Sequence, residues 1–178
     1  MCQPLVQSIA ILPSEIFVAV HRGDLQQVFA WLEGGGSVDA LDVEGRGMMH
    51  LASRLGDLGV AEALLRRGGS IDLRGFKNYT PLMVAAGSGG VAMLRLLLEH
   101  TASIDLQDDL GWTALVSAVH QGEQECVQAL LDAGASTGLR TYRNGQTAME
   151  LAEAKGRAPI VELLSQHAVE GEAEKQVA

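Results

Sequence analysis

Apolar residues recur along the chain in a double beat. A short helix-spaced run meets a glycine, and a second helix-spaced run then closes on a pair of large apolar residues. Val60, Leu64 and Leu65 stand at helical spacing, and so do Leu94, Leu97 and Leu98, and Val127, Leu130 and Leu131. The beat has a fixed length. Gly23, Gly56, Gly89 and Gly122 lie 33 residues apart, and Gly156 follows after 34. The pairs Leu64-Leu65, Leu97-Leu98 and Leu130-Leu131 keep that interval, with Trp31-Leu32 in the earlier slot. Val38-Asp39, Ile71-Asp72 and Ile104-Asp105 keep it too. An internal repeat of this length predicts stacked helix-turn-helix units, none of which can bury its apolar face alone.

Five copies follow, at about 13–40, 41–73, 74–106, 107–139 and 140–168. Segments 1–12 and 169–178 are expected to be tails. The short helix of each unit has a recognisable start. Thr80, Thr113 and Thr147 precede it as N-caps, and Pro81 stands at the first helical position, where a missing N–H does no harm. The recurring glycine ends that helix at a site that favours positive φ. Asn-Tyr-Thr-Pro-Leu-Met-Val-Ala-Ala at 78, Gly-Trp-Thr-Ala-Leu at 111, Gly-Gln-Thr-Ala-Met at 145 and Met-His-Leu-Ala at 49 together resemble the ankyrin repeat. The resemblance implies an all-α solenoid of helix-turn-helix units joined by β-hairpin loops. It also implies that His50 hydrogen-bonds neighbouring hairpins.

The second copy departs from the pattern. Gly47-Met48 replaces Thr-Pro, which removes a cap worth about 1 kcal/mol. The first copy lacks a preceding hairpin, and the last carries one extra residue near Gly138 to Thr141, as terminal capping copies do.

Charge narrows the partners. With 22 acids against 13 bases the formal charge is -9, so a nucleic-acid backbone would be repelled. Cys2 and Cys126 are too few for a disulfide framework, and Cys126 is expected to fill core. No apolar run reaches the length of a membrane span, and the first residues lack the basic start of a signal peptide. The expected setting is cytoplasmic, with the nucleus as the alternative.

One motif competes with this picture. Gly87-Ser-Gly-Gly-Val-Ala92 satisfies the glycine fingerprint of dinucleotide-binding loops, and Asp105 lies at about the spacing of a ribose-binding acid. That reading makes the chain a nucleotide-binding protein or enzyme, and it requires residues 81–86 to be a strand. The repeat frame makes them a helix. It also shows that only Gly89 recurs, and no lysine or arginine lies between Lys77 and Arg95 to assist a phosphate. The five histidines fall in different copies, and His21 and His120, three copies apart, are too distant to share a metal. No residue is assigned to catalysis, a metal or a cofactor.

The hairpin tips carry the remaining signal. In the family that the chain resembles, the tips and inner helices form the concave surface that partners contact. Here those slots hold Arg46; Arg74, Phe76, Lys77 and Tyr79; Gln107, Asp109, Leu110 and Trp112; and Tyr142 and Arg143, with His120 on an inner helix. Four of the seven aromatic residues fall in these few positions, and aromatic and arginine side chains are the usual anchors of interfaces. The competing explanation is that they cover adjacent hairpins. The expectation is a non-enzymatic adaptor, scaffold or inhibitor, monomeric on its own, that binds a protein partner through these residues.

Overall fold

The computed structural model describes residues 11–177, with side chains through residue 168. The segment 1–10, which holds Cys2 and most of the expected N-terminal tail, lies outside the described residues, as do the side chains of 169–178.

Five helix pairs follow one another in sequence. They are α1 (Ser14–His21) and α2 (Leu25–Glu33), α3 (Met48–Leu55) and α4 (Leu58–Arg66), α5 (Pro81–Gly87) and α6 (Val91–Glu99), α7 (Ala114–Gln121) and α8 (Gln124–Asp132), and α9 (Ala148–Ala154) and α10 (Ala158–Val177). The first helices of successive pairs pack on one another in chain order, α1 on α3, α5, α7 and α9. The second helices α4, α6, α8 and α10 stack behind them. Among the described residues the connections contain only two isolated bridges, Ile11 with Leu41 and Leu41 with Gly47, so the hairpin loops do not extend into a sheet.

The inner helices stack closely because their facing residues are small. Ala52, Ala85, Ala86, Ala118 and Ala152 are all wholly buried. Behind them Leu64, Leu97 and Leu130 fill the space between layers, each contributing about 1.5–3 kcal/mol by leaving water. The second leucine of the pair is buried to different degrees: Leu131 is buried, as expected, whereas Leu65 and Leu98 are only half-buried. Cys126 is buried in α8, and burial, together with Glu123 and Glu125, pushes its thiol up to about 11. It is a packing residue in its neutral form.

Helix starts follow the expected chemistry. Thr80 Oγ1 accepts from Met83 N–H at 3.4 Å, Thr113 from Val116 at 3.2 Å and Thr147 from Glu150 at 3.2 Å. The Glu150 carboxylate returns a bond from Thr147 N–H at 2.9 Å, completing a capping box. At Gly47 no side-chain oxygen caps α3, but His50 Nδ1 accepts Gly47 N–H at 3.2 Å, which restores half of the missing box. Gly23, Gly56, Gly89, Gly122 and Gly156 all have φ between 65° and 89°, the left-handed turn that reverses the chain between paired helices.

The ends refine the expected boundaries. Leu12, placed in the N-terminal tail, is buried, and its N–H donates to Leu41 O at 2.9 Å. The fold therefore takes in the last residues of that segment. At the other end the backbone of α10 continues to Val177.

Candidate partner-binding groove

The hairpin tips are bolted to one another in series. Phe76 N–H donates to Gly45 O at 2.9 Å, Asp109 N–H to Lys77 O at 3.0 Å, and Tyr142 N–H to Leu110 O at 2.8 Å. A second row of bonds runs beneath. Asp39 accepts from Ser70 N–H at 2.8 Å, Asp72 from Ser103 N–H at 3.0 Å and Asp105 from Ser136 N–H at 2.9 Å. This is the task of the recurring acid after Val38, Ile71 and Ile104. Each carboxylate reaches 31 residues ahead, one copy on.

Four of the expected contact residues serve this seam. Gln107 Nε2 donates to Gly111 O at 2.8 Å and Arg140 O at 3.0 Å, and its Oε1 accepts from Tyr142 Oη at 3.2 Å. Arg74 Nη1 reaches Gln107 O at 3.5 Å, and Asp109 accepts from Asn78 Nδ2 at 2.6 Å. Arg74, Gln107, Asp109 and Tyr142 thus tie one hairpin to the next, although the Tyr142 ring stays 66% exposed.

Six others converge. Arg46, Phe76, Lys77, Tyr79, Leu110 and Trp112 line one groove of about 440 Å³. The inner helices supply its other side through Arg54 of α3, Val84 and Gly87 of α5 with Ser88, and Gln121 at the end of α7. Gly87 leaves open space there. A Cβ on it would find nothing nearer than Tyr79 Oη at 3.6 Å. Leu110 and Trp112 form a ridge shared with a second depression, of about 460 Å³, which Arg143, Asn144 and Gln146 line. His120 lies behind this ridge, its ring centroid 4.7 Å from that of Trp112.

The aromatics divide between packing and exposure. Tyr79 is half-buried, and its hydroxyl donates to Ser117 Oγ of the next copy at 3.1 Å. Trp112 is half-buried against His120. Phe76 is 64% exposed and Leu110 39%, so these two present free apolar surface at the rim.

One further lining residue ties the groove to the hairpin seam. His50, 6% exposed, bonds Gly47 N–H through Nδ1 and donates from Nε2 to Tyr79 O at 2.9 Å. That pairing requires the neutral imidazole with its proton on Nε2. Burial holds its pKa below the ordinary histidine value, against the opposing pull of the Tyr79 and Leu73 carbonyls. The resemblance implied this link between hairpins, and the geometry supplies it.

The tip of the third copy is built differently from those of the second and fourth. Asp42 and Asp108 each fold their own hairpin by accepting two backbone N–H groups, from Glu44 and Arg46 and from Leu110 and Trp112. Gly75 stands in the equivalent slot. In place of that turn, Lys77 and Asn78 both take left-handed backbone, φ 55° and 60°, and Tyr79 N–H closes on Phe76 O at 3.2 Å. Lys77 lines the groove from this strained pair, with its Nζ 5.2 Å from the centroid of the Phe76 ring.

Electrostatics differ between the groove and the whole chain. Arg46 is neutralised by Asp42 and Glu44, both at 2.8 Å, and lies over the Phe17 ring at 4.4 Å. Arg54 and Lys77 are exposed and form no ion pair among the described residues. Asp108 is the one carboxylate of the lining, and it is buried under its own hairpin bonds.

The glycine fingerprint has lost its strand. Residues 81–87 form α5, and the amides of Ser88, Gly90 and Val91 donate to Val84, Ala85 and Gly89 carbonyls. Those N–H groups point into the chain's own turn, where a phosphate cradle would need them free.

A family model described as "Ankyrin repeats (3 copies)" matches residues 16–108 and 101–175. No curated protein matches the chain.

Proposed function

The chain belongs to the ankyrin-repeat family, whose repeats are protein–protein interaction modules, and on that premise we propose that it binds a protein partner through its concave groove. The observation that carries this reading is the convergence of Arg46, Phe76, Lys77, Tyr79, Leu110 and Trp112 around one depression between hairpins and inner helices. The seam of hairpin-to-hairpin bonds supports it further. A surface fixed before binding loses little conformational freedom when a partner arrives, so a few anchors suffice for affinity. The role is that of an adaptor, scaffold or inhibitor without catalytic chemistry of its own, acting as a monomer in the cytoplasm or nucleus. The formal charge of -9 argues against nucleic acid as the partner. Among the described residues no helix is long and apolar enough to cross a membrane.

Affinity capture from native lysate tests the reading, with wild type set against Phe76→Ala/Leu110→Ala. Both side chains are exposed, so the fold should survive their loss. Proteins retained by wild type and lost from the variant are the expected outcome. An identical set of captured proteins would sink the concave-groove assignment.

A further inference from the structure

We infer that the groove accepts an acidic peptide segment carrying an apolar anchor residue; this deepens the concave-groove reading and rests on it. Two observations, independent of each other, specify the occupant. The first is charge. In a chain of formal charge -9, the groove lining includes Arg54 from an inner helix and Lys77 from a hairpin tip. Neither is neutralised by an ion pair among the described residues, whereas Arg46 beside them is held by two carboxylates. The lining's own carboxylate, Asp108, is spent on Leu110 and Trp112 N–H. Groove-lining cations with no internal counter-charge favour carboxylates on the partner.

The second observation is shape. The same lining that carries the two cations also presents the apolar side chains of Phe76, Leu110, Trp112 and Val84. The missing side chain of Gly87 deepens it at the point where the Tyr79 ring ends. A leucine, phenylalanine or tryptophan side chain seats there, flanked by acids that reach Arg54 and Lys77. The backbone strain at Lys77 agrees with a residue held in place for its side chain.

Selection from a random-sequence peptide display library on the full chain provides the test. Selected peptides are then titrated against wild type, Gly87→Leu and Arg54→Glu/Lys77→Glu, with each variant's melting curve measured to verify its fold. The three nearest neighbours of a Cβ on residue 87 are side-chain atoms at ordinary van der Waals distance, so the site has room to begin a side chain and Gly87→Leu adds bulk beside Tyr79. The expected peptides hold Asp or Glu around a Leu, Phe or Trp. Their affinity falls at least about tenfold in either variant and weakens in about 1 M salt, where the screening length is about 3 Å. Peptides lacking acids, or acidic ones bound equally by the charge-reversed pair, overturn this inference. They leave the concave-groove reading standing if Gly87→Leu still abolishes binding. Peptides indifferent to both variants, or no enrichment at all, overturn both.

Discussion

The ring of His50 occupies the space that a side chain on residue 75 would need. A Cβ built on Gly75 would lie 2.9 Å from His50 Nε2 and 2.7 Å from Gly45 O. The glycine therefore admits the imidazole that bonds Tyr79 O and the carbonyl that accepts Phe76 N–H. Gly75→Ala should destabilise the chain by about 1–3 kcal/mol, as overpacking does. Urea unfolding measures this. Combining it with His50→Ala should cost less than the sum of the two single changes, because the clash and the lost bond share one partner. Strict additivity would rule out the relationship.

Acid sensitivity follows from the same histidine. His50 is bonded in its neutral form, and burial holds its folded pKa below the ordinary 6.5. His120 is lowered as well, by burial first and then by Lys155 and Arg157. Below pH 6.5 the unfolded chain then binds more protons than the folded one, so stability is full above that pH and declines as pH falls through it. Asp42 and Glu150, whose folded pKa values are also lowered, add their own loss only nearer 3.8 and 4.5. Urea midpoints between pH 7.5 and about 5 should slope downward, and His50→Gln should flatten the slope. A profile unchanged by that substitution would exclude His50 as the titrating group.

The repeat frame was legible because its determinants are local. Thr113 caps the helix three residues ahead, and Gly122 turns the chain where it stands, so a short window of sequence carries both. The seam was not legible. Gln107 looked like a partner contact, but its amide bonds Arg140 O and its carbonyl accepts from Tyr142, 33 and 35 residues away. Whether a polar tip residue faces a partner or the next hairpin depends on how neighbouring copies align in space. For the same reason Arg54 and Gln121, although on the inner-helix side, were not among the expected contacts. They end helices in different copies, and only stacking brings them to one groove.

Lys77 gives a case in which stability and binding should move in opposite directions. Its left-handed backbone, φ 55°, costs a non-glycine residue about 1–2 kcal/mol, part of which glycine regains. Lys77→Gly should raise Tm by up to about 2–4 °C for a chain of this size. It should also weaken any partner that places a carboxylate in the groove. A lower Tm in differential scanning calorimetry would show that the lysine side chain stabilises the tip by more than its backbone strain.

Tyr79 is a poor choice for removing an anchor cleanly. Its hydroxyl bonds Ser117 of the next copy, and its ring is half-buried. Tyr79→Phe should cost about 1 kcal/mol through the lost hydrogen bond. Tyr79→Ala should cost about 3 kcal/mol or more, as large aromatic truncations in packed sites do. Thermal denaturation of the two variants separates these contributions. Equal melting temperatures for both would mean that the ring packs little, and would return Tyr79 to the list of free anchors.

The recurring carboxylates test how the layers cooperate. Asp39, Asp72 and Asp105 each cross from one copy to the next to accept a serine N–H, so each joins a different pair of neighbours. Asp72→Ala should cost about 1 kcal/mol, the usual net contribution of one hydrogen bond, because this one is exposed to solvent. Stability in a stacked array is approximately a sum of unit and nearest-neighbour contributions, so weakening a central interface also loosens the coupling between the two halves. The triple change at positions 39, 72 and 105 should therefore lower the midpoint and broaden the urea transition, with a smaller m-value than wild type. An unaltered m-value with a simple additive shift would instead mean that the helices alone carry the coupling, and that the acids only trim each hairpin.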